Sequence, residues 1–175
     1  MFSRPICLAT ILFTTLATGA SAQAFPVSRI PASGGEIVFA NPGEREEMYD
    51  QLNYAAARRA GDFVFLSGVE IGPLPGEGKD AAALEKQLIR GFQAIKNSLA
   101  ATGATMNQIV QLQSFHNCKA SHFTGSFEDQ LGAMINVKKT FMPPPYSTWT
   151  AVCVDRHYSE NTIVEIQVTA YAPKK

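Results

Sequence analysis

The chain has 175 residues, 46 % of them hydrophobic, and its 15 basic and 15 acidic side chains cancel. This is enough apolar material for one ordinary domain with a real core. It excludes a nucleic-acid binder of the electrostatic kind, since no basic stripe is present to neutralise phosphates.

The chain opens MFSRPICLATILFTTLATGASAQAFP. Arg4 precedes an apolar run from Ile6 to Leu16, and small residues then lead to Ala20-Ser21-Ala22. This layout predicts a secretory signal peptide over 1–22, with cleavage after Ala22 or, at the overlapping Ala22-Gln23-Ala24, after Ala24. The alternative is an uncleaved N-terminal anchor, although the apolar run is too short to span a bilayer. Cys7 lies too early to act as a lipidation site. The expected location is therefore secreted or periplasmic, with no membrane association after cleavage. Loss of Arg4 leaves one more acid than base.

Residues 23–53 read as an extended lead-in with one strand, EIVFAN (36–41). YAAARRA (54–60) could start a helix, but Gly61-Asp62 is a turn signal and FVFLSG (63–68) follows at once, so a β-hairpin is expected. IGPLPGEGKD (71–80) is a loop. Its Gly76, Gly78 and Lys79 do not form a phosphate-binding loop, because Pro73 and Asp80 stand where that motif needs Gly and Ser or Thr.

Residues 81–101 are the clearest helix: Leu84, Leu88, Phe92, Ile95 and Leu99 form one apolar stripe, and Gly103 is a stop signal. IVQLQSFHN (109–117) alternates as a strand. A second helix is expected over 124–139, ended by Pro143, Pro144 and Pro145. Two strands close the chain, STWTAVCVD (147–155) and IVEIQVTAY (163–171). In the last, Val164, Ile166, Val168 and Ala170 share one face, while Glu165, Gln167, Thr169 and Tyr171 share the other. In the penultimate strand Thr150, Val152 and Val154 oppose Trp149, Ala151 and Cys153. The apolar valines assign Trp149, with Phe115, to the polar face.

The order β-β-β-α-β-α-β-β predicts an α+β sandwich: a mainly antiparallel or mixed sheet with two helices on one face. Residues 54–175 would form this domain. The second face, carrying aromatics, reads as a subunit interface.

Three groupings could carry chemistry. His116, Cys118 and His122 could ligate a metal, but the spacing is weak and no fourth ligand is evident, so ordinary polar residues are expected. Ser67-Gly68 ends a strand, yet no nucleophile elbow surrounds Ser67, which favours a positioning role over a nucleophilic one. Cys118 and Cys153 can form a disulfide in an oxidising compartment. They bridge only if their Cα atoms come within about 7 Å. Unpaired, buried cysteines are the expectation.

The chain resembles the Rid (YjgF) family of reactive-intermediate enamine/imine deaminases. The resemblance rests on YAAARRAGDFVFLSG with Tyr54 ahead of Ser67, the helix over 82–101, the strand at 109–117, the proline-led TAVCV, and the final VEIQVTA. It covers roughly 54–172. It implies a homotrimer of chorismate-mutase-like sandwiches with a small-molecule cleft between subunits. It also implies hydrolysis of enamines or imines to a carbonyl product and ammonia, without metal or cofactor. Position by position, Glu165 and Ser67 match catalytic positions, and Tyr54 and Gly68 match ligand-binding ones. Counting back from VCV, Trp149 takes the place of the family's carboxylate-gripping arginine, and Ala151 that of a frequent cysteine. An arginine fork binds a carboxylate with full charge, whereas Trp149 offers one N–H and a π face that suits a neutral, bulky or cationic ligand. Two functions follow: a divergent exported deaminase, or a non-catalytic small-molecule-binding trimer of the same fold.

Overall fold

The computed structural model describes residues 26–174. The expected signal peptide over 1–22 lies outside the described residues, as do Ala22 and Ala24. Seven strands form one sheet: β1 (Ser28–Ala32), β2 (Gly35–Phe39), β3 (Ala57–Ala60), β4 (Phe63–Ile71), β5 (Ile109–Asn117), β6 (Thr148–Val154) and β7 (Val164–Tyr171). Their spatial order is β1-β2-β3-β4-β7-β5-β6. Only the β5–β6 pair is parallel; the rest are antiparallel. Helices α1 (Ala81–Thr102) and α2 (Phe127–Phe141) pack on one face. This is the α+β sandwich that the sequence predicts.

The lead-in differs from expectation. Instead of one strand it forms the β1–β2 hairpin, turned at Gly34 (φ 76°), followed by a π-helical segment, Glu44–Gln51. Pro31 hides the first strand from a pattern reading, yet β1 is an edge strand, where a proline is tolerated.

The helix stripe behaves as read. Leu84, Leu88, Phe92, Ile95 and Leu99 are fully buried against Val64, Leu66, Ile166 and Val168. Asp80 caps α1 by accepting from the Ala83 N–H at 2.8 Å, and Gly103 closes it with φ 82°. Ser126 and Asp129 form a reciprocal cap at the start of α2. Arg59 is buried and donates to the carbonyls of Thr102, Gly61 and Ala172, so it is structural.

The two cysteines are joined: Cys118 and Cys153 form a disulfide with Cα atoms 5.6 Å apart. The expectation of unpaired thiols was wrong because it treated the strands as unplaced. β6 lies parallel beside β5 with His116 opposite Cys153, which puts Cys118 two residues further along, within reach. Among the described residues no helix is long and apolar enough to cross a membrane.

Candidate active site

The face of the sheet away from the helices carries Phe63, Phe65, Gln111, Gln113, Phe115, Glu165, Gln167 and Tyr171, matching the alternation read in β7 and β5. At one end of this face lies an open cavity of about 1310 Å³. Tyr54, Ser67, Gly68 and Glu165 all line it.

Backbone irregularity builds the site. Leu66 pairs with Val168 and Val69 with Ile166, so β4 spends one extra residue at Ser67-Gly68 opposite Gln167. Such a bulge re-aims side chains and ends regular pairing. A Cβ at Gly68 would overlap the Glu165 carboxylate, so only glycine leaves that carboxylate its place. Beyond the bulge Glu70 faces Glu165 directly across the strand pair. Asn53, at φ 58°, turns the chain so that Tyr54 reaches the cavity.

Glu165 accepts from His157, with Nδ1 3.1 Å from Oε2. The His157 side chain is 3 % exposed and that of Glu165 30 %. Burial first, then the nearby Glu70 and Glu165 carboxylates, push the Tyr54 phenol above its usual range, so it remains a donor at neutral pH. Ser67 Oγ donates to the Ala55 carbonyl at 2.7 Å. Its proton is thus committed, and Ser67 can offer a ligand only acceptor lone pairs.

Trp149 and Ala151 do not line this cavity. Leu112 is opposite Trp149 and Ser114 opposite Ala151, and Leu112 and Ser114 are buried on the helix-covered face. Trp149 Nε1 donates to Ser114 Oγ at 2.9 Å, and Lys138 Nζ of α2 sits 4.5 Å from the ring centroid. The valine pattern misled because β6 is an edge strand, and Val152, on the open face, is 39 % exposed. The grouping of His116, Cys118 and His122 is also dissolved. His116 hydrogen-bonds Ser114 and Gln130, and Cys118 is in the disulfide.

Among the lining residues that the sequence reading did not assign to a site are Glu70, Arg156 and His157. The last two lie on the β6–β7 connection, which must pass β5 to reach β7. That crossing carries Arg156 to the cavity, although in the sequence it stands at the far end of its strand. The cavity wall thus holds Glu44, Glu47, Glu70 and Glu165 against one cation, Arg156.

Residues 45–172 match the family model described as Endoribonuclease L-PSP. The chain is 32 % identical over 135 residues to the RutC family protein YjgH of Escherichia coli, covering 77 % of this chain and 94 % of that protein. The solved structure of protein YJGH superposes with a TM-score of 0.57 at 30 % identity, over 77 % of this chain and 95 % of that one. The fold is shared with RidA from the Antarctic bacterium Psychrobacter, with a TM-score of 0.52 at 23 % identity, over 67 % and 87 % of the two chains. A matched segment spanning most of the chain, together with a relative at this identity, carries one conclusion: the chain belongs to the Endoribonuclease L-PSP family, the YjgF/Rid group.

Proposed function

We propose that the cavity hydrolyses a neutral or protonated imine, or the enamine in equilibrium with it, to a carbonyl compound and ammonia. The observation that carries this reading is the Glu165 carboxylate, set in the notch at Gly68 and hydrogen-bonded by His157 at the cavity wall. In the reaction a water oxygen bonds to the imine carbon, and the π pair moves to nitrogen. Glu165 takes the water proton. The C–N bond then breaks as the nitrogen is protonated, the carbonyl forms, and ammonia leaves. Tyr54 would donate to the developing polar centre, and Ser67 would accept from the imine N–H.

Charge argues for the substrate class. Four carboxylates against Arg156 disfavour a polyanion such as RNA and a small dianion, and favour a neutral imine or its cationic iminium form. Arg156 is the group placed to meet a single anionic substituent. The test is ammonia release from a panel of imines generated in situ, with Glu165→Gln expected to lower kcat/KM at least about 100-fold. Ligand held in the cavity without turnover of any imine would favour the non-catalytic trimer instead, a reading supported by the committed Ser67 proton.

The homotrimer belongs to this proposal. Phe63, Phe65 and Tyr171 stand 43, 45 and 46 % exposed on the open face, with Phe63 5.3 Å from Tyr171 and 6.3 Å from Phe65 between ring centroids. A contiguous aromatic patch of this kind suits burial against another copy. Light scattering showing a stable monomer at micromolar concentration would remove it. Export with cleavage after Ala22 or Ala24 is tested by mass spectrometry of the mature protein.

A further inference from the structure

We propose that His157 is the positioning residue of this site: as the neutral tautomer protonated at Nδ1, it holds the Glu165 carboxylate in its ionised, water-directing pose. The inference rests on the hydrolytic reading above and adds the group that makes Glu165 competent.

Three observations carry it. His157 Nδ1 lies 3.1 Å from Glu165 Oε2, and the other oxygen of that carboxylate is the one against Gly68. One oxygen is therefore held by the imidazole, and the other fills the space a Cβ at residue 68 would take. The His157 side chain is 3 % exposed, so water does not compete for that hydrogen bond. Its Nε2 is buried with no partner among the described residues.

The orphan Nε2 decides between the two tautomers. A proton at Nε2 would be a buried donor without an acceptor, whereas a lone pair there costs less. The Nδ1 proton, by contrast, has a carboxylate to meet. The tautomer that serves Glu165 is thus the one the pocket tolerates. Glu165 on β7 and Glu70 on β4 would attract a positive imidazole and Arg156, its chain neighbour, would repel one, while burial of His116 on β5 disfavours charge there. Tyr54 and Tyr158 line the same cavity. His157 therefore orients the base and does not replace it.

The disulfide supports the arrangement. Cys153 is tied to Cys118, and the Cys118 N–H donates to the Val154 carbonyl at 3.3 Å. The chain is anchored three residues before His157. On its far side the Ser159 N–H donates to Glu70 Oε1 at 3.1 Å. The turn that delivers the imidazole is fixed before and after it.

The test has two arms. In the first, 15N NMR of histidine-labelled wild type at neutral pH should show His157 protonated at Nδ1 and neutral, with that signal changed in Glu165→Gln. An Nε2-protonated ring, or an imidazolium, overturns the proposal whatever the enzyme's activity. In the second, His157→Leu should lower kcat for imine hydrolysis about 10- to 100-fold with KM little changed, the span one hydrogen bond to a charged group supplies. His157→Asn, which can still donate, should recover part of kcat. Equal kcat in the Leu and Asn variants at matched thermal stability overturns the proposal. Absence of turnover in wild type sinks the hydrolytic reading alone, and the NMR arm still decides the role of His157.

Discussion

The Cα of Gly68 and the carboxylate of Glu165 occupy adjoining space across the β4–β7 pair, so that a methyl group on the first would displace the second. The clash is with the end of a flexible side chain, which can swing away. Gly68→Ala should therefore fold with a stability change under about 1 kcal/mol, the low end of the cost of overpacking. Its imine hydrolysis should fall at least about 10-fold, because a displaced carboxylate no longer meets the reacting water. Thermal unfolding and kcat/KM measured together check this. Unchanged activity would remove the notch from the site.

How much of this was legible follows from parity and its limits. The apolar stripe of α1 and the alternation of β7 fixed the core, the polar face and the place of Glu165, because each pattern is local to one element. Ser67 and Gly68 were found, but the bulge that makes them matter depends on pairing with β7 and has no local signal. Trp149 was misassigned for a physical reason: on an edge strand the apolar residues need not face the core, and a lone tryptophan on the covered side supplies the burial instead. Arg156 and His157 sit on an irregular connection whose destination is set by strand order, which the sequence does not reveal.

The disulfide should contribute substantially to stability. It joins residues 35 apart in sequence. Closing a loop of that size removes about 3–4 kcal/mol of unfolded-state entropy on the chain-entropy model. Cys118→Ser with Cys153→Ser should lose about that much in urea unfolding, and reduction of wild type should produce the same shift. A midpoint insensitive to reductant in wild type would show that the bond is not formed in solution.

Trp149 should prove structural. Its Nε1 donates to Ser114 Oγ, which also meets His116 Nε2 at 2.9 Å, and His116 in turn meets Gln130. Trp149→Phe should cost about 1 kcal/mol from the lost hydrogen bond, plus a packing loss, with imine hydrolysis unchanged. Trp149→Arg should not create a carboxylate grip. It would place a second cation beside Lys138 on the covered face, so we expect lost stability and no gain on an anionic imine. Thermal unfolding with kcat/KM on neutral and anionic imines separates the cases. A stable Trp149→Arg variant with raised anionic activity would return Trp149 to the site.

Stability should fall on mild acidification through His116. Burial is the main cause holding its imidazole below the usual value of 6.5, opposed by the hydrogen bond to Gln130 and reinforced by the nearby His157. The unfolded chain therefore takes up a proton that the folded chain refuses. Above 6.5 both states are neutral at this residue and nothing is lost. Below it, stability declines until the lowered folded value is reached, by at most about 1.4 kcal/mol per pH unit for one proton. Glu44 acts with the opposite sign: burial raises its carboxyl above 4.5, so its contribution is complete below that value and is lost as pH rises through the folded value. The two effects are separated by mutation. Urea unfolding of wild type between pH 7.5 and 5 should show the midpoint dropping, and His116→Gln should flatten that slope even if the variant is less stable throughout. An equally steep slope in His116→Gln would place the acid sensitivity elsewhere.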